Sequence, residues 1–197
     1  MSKAVLDVVG AALGLLVLWP ILAAMAIWIR IDSPGPVFFR QERVGRSGRI
    51  FRIHKFRTMV ENAERMGGQI TVGSDSRITR CGAFLRHTKL DELPQLIDVL
   101  LGHMSLVGPR PEVPKYVKLY PEDVRRIVLS VKPGITDPAS IQYRNESALL
   151  AESADSELTY VRDILPVKLA SYRHYVETRS LWGDVKIIFR TLAAITR

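Results

Sequence analysis

The sequence predicts an α+β protein that is mainly helical and carries a membrane-associated segment near its N-terminus. Three observations support this class. Residues 8–29 form a run of 22 uncharged, mostly apolar residues. Residues 37–56 contain two strand-like runs around a glycine-rich turn. Several later segments place apolar residues at helical spacing. We therefore divide the chain into a membrane-inserted segment, 1–31, and a cytoplasmic domain, 32–197.

Composition limits the possible functions. A chain of 197 residues is long enough to bury one core, and its net charge of +8 indicates an anionic partner such as nucleic acid, anionic lipid or a phosphorylated small molecule. Cys81 is the only cysteine, which excludes an intramolecular disulfide. The four histidines lack the spacing of zinc ligands, and the sequence has neither a P-loop nor a dinucleotide-binding glycine motif.

The uncharged run is long enough to cross a bilayer, which takes roughly 20 residues. Pro20 lies near its middle and predicts a kink, because proline removes a helical hydrogen bond. Basic residues flank the run on both sides, starting with Lys3 and Arg30, and positive flanks favour the cytoplasm. Two topologies remain open from the residues alone: a re-entrant helix bent at Pro20, or a single straight span.

Residues 37–41 and 50–56 predict a β-hairpin closed by a turn at residues 45–49. The alternation of the second run does not decide which face is buried. Lys55 and Arg57 follow at its end, either as phosphate ligands or as part of a solvated face. A short helix is predicted over residues 60–66, ended by glycines 67 and 68.

The adjacent acids Asp91 and Glu92 are the centre of the chain's chemistry. Pro94 fits only the first turn of a helix, so the helix predicted over residues 93–101 places both carboxylates at its N-terminus. The helix is predicted to bury one apolar stripe, formed by Leu93, Leu96, Ile97, Leu100 and Leu101. The acids are either an ordinary helix cap or part of a site for an anionic substrate. Many bases lie nearby in sequence, which favours the second interpretation: Arg77, Arg80, Arg86, Lys89 and Arg110.

The end of the chain predicts two more helices, over residues 164–179 and 181–195. The second mixes aromatic and basic residues, as expected of an amphipathic helix on an anionic membrane surface. A helix packed on the core with a solvated basic face is the alternative. The preceding stretch, 146–163, is acidic and rich in alanine and serine, which is typical of a variable segment.

Several blocks, in order, resemble the bacterial sugar transferase family, the small monotopic phosphoglycosyl transferases. The likeness covers residues 4–145, with a weaker match over 180–191. Its blocks are the apolar segment with Pro20, GPVFFRQERVG (35–45), FRIHKFRTM (51–59), LDELPQ (90–95), MSLVGPRP (104–111) and KPGIT (132–136).

The resemblance implies an enzyme that moves a sugar-1-phosphate from a UDP-sugar to a membrane polyprenyl phosphate, normally undecaprenyl phosphate, with release of UMP. It implies Asp91 as the nucleophile that forms a covalent aspartyl-phosphosugar, and Glu92 as the ligand of Mg²⁺. It also implies a re-entrant helix broken at Pro20 and a location on the cytoplasmic face of the bacterial plasma membrane. The remaining implied site residues are the phosphate-binding Lys55, Arg57, Arg86, Arg110 and Arg144, and the nucleotide-loop prolines Pro109 and Pro111.

The chain departs from the family pattern in places. Trp19 precedes the central proline where relatives often have serine, and Asp137 to Ser140 replace a Gly-Trp-Ala-Gln sequence common in members. The expected partners are a UDP-sugar, a polyprenyl phosphate and the phospholipid membrane, with no nucleic acid and a possible homo-oligomer. Two rival functions remain: a basic membrane-anchored module that binds nucleic acid or lipid, and an inactive scaffold of a glycan-assembly complex.

Overall fold

The computed structural model describes residues 2–66, 75–143 and 146–195, and the predicted glycine stop at 67–68 lies outside these ranges. Within them the chain forms eleven α-helices, one π-helical turn, four short strands and two 3₁₀ turns, at Arg46–Gly48 and Leu90–Glu92, which confirms the mainly helical α+β class. In chain order the elements are α1 Lys3–Asp32, β1 Phe38–Val44, β2 Ile50–Phe56, α2 Ala63–Met66, α3 Arg80–Thr88, α4 Gln95–Leu100, β3 Ser105–Val107, α5 Pro114–Val117, α6 Glu122–Val128, β4 Gly134–Thr136, α7 Pro138–Gln142, α8 Glu146–Ala151, α9 Ser156–Thr159, the π-helical turn Tyr160–Ile164, α10 Leu165–Thr178 and α11 Leu181–Ile195.

Helix α1 is long and apolar enough to cross a membrane, and its helical conformation continues through Pro20. One stripe of the helix faces the rest of the protein, with Ala11 and Ile29 fully or almost fully buried. A side chain at Gly10 would lie 2.7 Å from Leu106 Cδ1, so this part of α1 packs closely on the strand β3. The opposite stripe is exposed along most of the helix, for example at Leu16 and Trp19. Helix α1, which contains most of the predicted segment 1–31, thus packs along one stripe on the rest of the protein.

Both ends of α1 are bonded to the same body of the protein. Lys3 donates to the carboxylate of Asp184 at 2.7 Å and to the carbonyl of Val107 at 3.0 Å. At the other end, the carboxylate of Asp32 accepts from the backbone N–H of Cys81 at 2.9 Å. The predicted domain boundary after residue 31 therefore falls inside the last turn of α1.

Strands β1 and β2 form the predicted antiparallel hairpin, with Phe38 opposite Phe56. The structure settles which face is buried: Phe51 and Ile53 pack between α1 and α4, and Phe56 packs beside the end of α1. The first strand runs three residues further than predicted, to Val44, because its backbone continues to pair with β2 up to Ile50.

Strands β3 and β4 form a two-stranded parallel ladder next to the hairpin body. Their chains approach so closely at Gly108 and Gly134 that a Cβ on Gly134 would lie 2.1 Å from the backbone nitrogen of Gly108. Both positions therefore need glycine, and this contact fixes the start of the loop that carries Arg110.

The largest core cluster joins helices α5, α6 and α10, and is rich in tyrosine. Helix α11, with the predicted bounds, turns Asp184 inward, where the side chain is 1% exposed. Its outward face carries Trp182, Phe189 and Leu192, all more than half exposed. The same outward face carries the exposed bases Lys186 and Arg190, so it is both apolar and basic. Helix α11 therefore packs on the core through Asp184, and its contact with a membrane surface stays a prediction.

Helix α4 is shorter than predicted and buries a different face. It begins at Gln95 and ends near Gly102, whose φ is +78°. Leu96 and Val99 are buried, whereas Leu100 and Leu101 of the predicted apolar stripe are exposed. Two polar side chains, Gln95 and Asp98, share the buried face. Likewise, the predicted helix over residues 60–66 is one turn, Ala63–Met66.

Candidate active site

Asp91 and Glu92 lie in a 3₁₀ turn between α3 and α4. Helix α3 ends at Thr88, and Lys89 adopts a left-handed conformation with φ of 58°, which redirects the chain into the turn. Pro94 then caps the start of α4. The prediction that both acids precede a helix N-terminus is confirmed, and Asp91 is 7% exposed.

Lys55 reaches both acids from the last pair of residues in β2. Its ammonium nitrogen lies 2.9 Å from Glu92 Oε1 and 3.4 Å from Asp91 Oδ2. The strand is held against α4 by Asp98, whose carboxylate accepts from the backbone N–H of His54 at 2.8 Å and lies 2.8 Å from His54 Nδ1. This buried contact sets the position of Lys55 relative to the acids.

Arg110 is the second cation that contacts Glu92, and it shares the Oε1 oxygen with Lys55. Its guanidinium forms a two-pronged ion pair with the Glu92 carboxylate, with Nη1 donating to Oε2 at 3.0 Å and Nη2 donating to Oε1. Such forked pairs fix both position and orientation. The loop that presents Arg110 is stiffened by the buried residues Pro109 and Pro111.

Two further bases act on Asp91. Arg86 projects from α3, donates from Nε to the hydroxyl of Thr58 at 2.8 Å, and exerts an electrostatic attraction on Asp91. Lys89 interacts electrostatically with both acids. The predicted residues Lys55, Arg86 and Arg110 are therefore brought together around Asp91 and Glu92.

The two acids have opposite titration behaviour. Burial raises the pKa of Asp91 above its ordinary value, the neighbouring Glu92 adds to the rise, and Lys55 opposes it. Burial by itself would also raise the pKa of Glu92, but Arg110 and Lys55 outweigh it and hold this pKa well below the usual range. Glu92 is thus a fixed anion, and Asp91 is the carboxyl whose charge is easier to change.

The carboxylates of this site could bind a metal ion that is also coordinated by the substrate, but they are too few to bind a metal ion by themselves. The described residues contain no cluster of three or more side chains from His, Cys, Asp and Glu. Mg²⁺ commonly takes one or two carboxylates and completes its coordination with phosphate oxygens and water. Glu92 and Asp91 supply such carboxylates, although both oxygens of Glu92 contact Arg110 or Lys55 in this arrangement.

Arg57 was predicted to bind phosphate, and the structure places its guanidinium elsewhere. It donates to the carbonyl of Ser33 at 2.7 Å, to that of Ile29 at 3.4 Å, and to that of Pro34. Strand β2 ends at Phe56, so the alternation that would align Arg57 with Lys55 no longer applies. Arg57 caps α1. Arg144 lies outside the described residues, so its predicted role stays a prediction.

Sequence reasoning did not assign His54 and Asp98 to the support of the site. Asp98 is fully buried on α4, six residues after Glu92 in the sequence. A charged residue beside Val99 within an apolar stretch was the available signal, because buried carboxylates need partners. Lys89, two residues before Asp91, was recognised as a nearby base without being chosen as a site residue.

These features define a class of protein: a helical α+β domain with an apolar N-terminal helix and a carboxylate pair enclosed by cations. The comparison with protein families is consistent with this class. The family model described as "Bacterial sugar transferase" matches residues 1–197, and the chain belongs to that family. The resemblance inferred from the motifs is therefore confirmed.

Three characterised or named relatives illustrate the likeness. The UDP-N-acetylgalactosamine-undecaprenyl-phosphate N-acetylgalactosaminephosphotransferase of Aeromonas hydrophila is 36% identical over 192 residues, covering 96% of this chain and 42% of the relative. The UDP-glucose:undecaprenyl-phosphate glucose-1-phosphate transferase of Caulobacter vibrioides is 37% identical over 199 residues, covering 99% and 70%. The exopolysaccharide production protein PSS of Rhizobium leguminosarum bv. phaseoli is 38% identical over 200 residues, covering 98% and 94%.

The relatives differ in length. This chain spans 42% of the Aeromonas relative and 38% of the UDP-glucose:undecaprenyl-phosphate glucose-1-phosphate transferases of Xanthomonas campestris and Escherichia coli. It spans 94% of the Rhizobium relative. In all of these relatives the matched region covers at least 94% of this chain, so it includes Asp91, Glu92 and the bases around them.

Proposed function

We propose that this protein transfers a sugar-1-phosphate from a UDP-sugar to a membrane polyprenyl phosphate, with undecaprenyl phosphate as the expected acceptor. The observation that carries the proposal is the buried Asp91 and Glu92 pair, enclosed by Lys55 and Arg110. Two of the relatives are named for a UDP-sugar donor and an undecaprenyl-phosphate acceptor, which supports the choice of substrates. We place this reaction at the first membrane step of surface glycan synthesis.

Asp91 is the proposed nucleophile. Its carboxylate oxygen attacks the phosphorus that bears the sugar, an oxygen–phosphorus bond forms, and the bond from that phosphorus to UMP breaks. The intermediate is an acyl phosphate on Asp91, and UMP leaves with the electron pair. A phosphate oxygen of the polyprenyl acceptor then attacks the same phosphorus and releases the Asp91 carboxylate. No net proton transfer is required in either step.

The enclosing cations address the main difficulty, which is that a carboxylate must approach an anionic diphosphate. Lys55 lies within 3.4 Å of both acids, and Arg86 and Lys89 add positive charge on the side of Asp91. Phosphoryl transfer depends mostly on positioning and on stabilisation of charge. Arg110, which contacts Glu92 together with Lys55, is suited to hold the diphosphate or the leaving UMP.

We assign Mg²⁺ binding to Glu92, with phosphate oxygens of the donor as further ligands. When bound, the metal would neutralise charge on the diphosphate. The low pKa of Glu92 keeps this carboxylate charged across the physiological range, which suits a metal ligand. Lys55 and Arg110 now contact the Glu92 oxygens, and a bound metal would replace them as the counter-charge, which would leave both cations available to the phosphates.

We further propose that the exposed face of α1 enters the lipid while both of its ends stay on the cytoplasmic side. The bonds of Lys3 to Asp184 and of Asp32 to Cys81 support this topology, because they join both ends to one body. The outward aromatic residues of α11 are suited to the same interface. A Ser2→Cys variant tests it: an impermeant thiol reagent should label residue 2 only after lysis, and labelling of intact cells would contradict it.

The reaction is tested by measuring UMP release from a panel of UDP-sugars, with detergent-solubilised protein, undecaprenyl phosphate and Mg²⁺. We expect one or a few donors to give UMP and a lipid-linked sugar, and we expect chelation of the metal to stop the reaction. The panel also identifies the sugar. If no donor gives UMP under conditions where a related transferase is active, the proposed function is wrong and the scaffold alternative gains support.

A further inference from the structure

The loop that carries Arg110 is held on both sides of that residue. The backbone N–H of Gly134 donates to the carbonyl of Pro109 at 2.9 Å. On the other side, Nη1 of Arg43 donates to the carbonyl of Pro111 at 3.1 Å. Since these two carbonyls flank Arg110, the two contacts together fix the direction in which its side chain leaves the loop.

The orientation of Arg43 depends in turn on two acceptors. Its Nη2 donates to Gln41 Oε1 at 2.6 Å, and its Nη1 lies 3.4 Å from Glu112 Oε1. Among the described residues, Nε of Arg43 is buried without a hydrogen-bond partner. Burial lowers the pKa of this guanidinium and the Glu112 carboxylate opposes that effect, so Glu112 is the main counter-charge for Arg43.

Glu112 is itself fixed by a residue distant in sequence. The hydroxyl of Tyr160 donates to Glu112 Oε2 at 2.6 Å, and the backbone N–H of Val113 donates to Oε1 at 3.0 Å. Tyr160 is 4% exposed and opens the π-helical turn Tyr160–Ile164. Its ring packs against Tyr116 at 5.0 Å and lies under the ammonium of Lys168 at 5.1 Å.

We propose that Tyr160 is a positioning residue, which acts through Glu112 and Arg43 on the loop that presents Arg110. This inference rests on the proposed function, in which Arg110 holds the diphosphate of the nucleotide sugar. It gives a role to the acidic stretch at residues 146–163, whose helix α8 is joined to the same network by the ion pair of Glu146 with Lys168. This stretch therefore influences how firmly the donor is held, at a distance from the acid pair.

The first test is Tyr160→Phe, which removes the hydroxyl and keeps the ring that packs on Tyr116. We expect the KM for the UDP-sugar to rise about three- to tenfold, with kcat changed less than about twofold. The rise is smaller than for loss of a hydrogen bond to a charged group, because Tyr160 acts on the donor indirectly. Tyr116→Phe is the matched control, and it should keep the wild-type KM. An unchanged KM in Tyr160→Phe would overturn the proposal.

A double-mutant cycle separates positioning from a general structural effect. If Tyr160 acts through Arg110, the increase in KM caused by Tyr160→Phe should shrink to less than about twofold in an Arg110→Lys background. An increase of equal size in both backgrounds would contradict the proposed route.

A third measurement does not depend on the reaction. Hydrogen exchange of the peptide that spans residues 108–113 should be faster in Tyr160→Phe than in the wild type, and unchanged in Tyr116→Phe. If the wild type releases no UMP, the proposed function fails while this exchange measurement still decides whether Tyr160 holds the loop. Unchanged exchange, or faster exchange without any change in KM in an active enzyme, would overturn the inference.

Discussion

Lys55 and Arg57 stand two residues apart at the end of one strand and have different surroundings. Lys55 lies between two carboxylates, 2.9 Å from Glu92 and 3.4 Å from Asp91. Arg57 is 6% exposed and donates to backbone carbonyls at the end of α1. The difference shows that two nearby bases of one motif can have different partners. Lys55 contacts the acid pair directly, whereas the hydrogen bonds of Arg57 go to backbone carbonyls, with Glu61 and Asp32 near enough to act on it electrostatically. Around Arg57 the same kind of charge serves the structure.

The largest effect should come from the acid pair itself. Asp91→Asn is expected to lower UMP release by about 10³-fold or more, because it removes the proposed nucleophile without changing the size of the side chain. The thermal midpoint should not fall, since burial raises the pKa of Asp91 and the charged form is the costly one. Asp163→Asn, at an exposed ion pair, is the control. Full activity of Asp91→Asn would exclude it as the nucleophile.

Lys55→Met should lower activity by about 100-fold, because one cation between the acids is lost from a site that depends on electrostatic stabilisation. Stability should change little, as Glu92 keeps its forked pair with Arg110. The measurement pairs steady-state UMP release with thermal unfolding, and Lys115→Met at an exposed ion pair serves for comparison. If Lys55→Met unfolded the protein while Lys115→Met did not, Lys55 would have a structural role like that of Arg57, and the prediction would be wrong.

Arg57→Met should have the opposite pattern. We expect the free energy of unfolding to fall by about 2 kcal/mol, because carbonyls at the end of α1 lose their buried donor. Activity per folded molecule should stay within about threefold of the wild type. Urea unfolding in detergent measures the first quantity, with exposed Arg52→Met as the control. A specific loss of donor binding at unchanged stability would restore Arg57 to the phosphate site.

A smaller effect is expected from acidification, which should abolish activity at a higher pH than it unfolds the protein. The pKa of Asp91 is raised, so protonation removes the nucleophile at a higher pH than for an ordinary aspartate. The pKa of Glu92 is depressed, so its pairing stabilises the fold above the pKa of the unfolded chain and is lost only as the pH falls through the low folded value. UMP release should therefore decline at a pH where circular dichroism still reports a folded protein. Simultaneous loss of both would contradict this assignment.

The sequence predicted the local parts of this site well. Pro94 placed the acid pair before a helix, and the glycine-rich turn between apolar runs placed the hairpin, because both signals act over a few residues. The motif LDELPQ and the loop containing Arg110 also suggested that bases and acids would meet. The structure confirms that Lys55, Arg86 and Arg110 surround Asp91 and Glu92.

The long-range parts could not be read from the pattern. The resemblance assigned Arg57 to phosphate. Its hydrogen bonds to carbonyls at the end of α1 were not predicted, because the end of β2 and the position of α1 depend on tertiary packing. Leu100 and Leu101 were placed in the buried stripe, but the polar Asp98 is buried instead because His54 of another element satisfies it. The contact of Tyr160 with Glu112 joins residues 48 positions apart, and no local signal encodes such a partner.

The most direct test of the central claim is a search for a sugar-phosphate on Asp91. Protein incubated with the active UDP-sugar and Mg²⁺, without polyprenyl phosphate, should release UMP in proportion to enzyme and gain the mass of one sugar-phosphate. Peptide mapping should place the adduct on Asp91, and added acceptor should remove it. The account would be contradicted if UMP were released only when acceptor is present, with neither UMP nor an adduct formed in its absence. An adduct on a residue other than Asp91 would also contradict it.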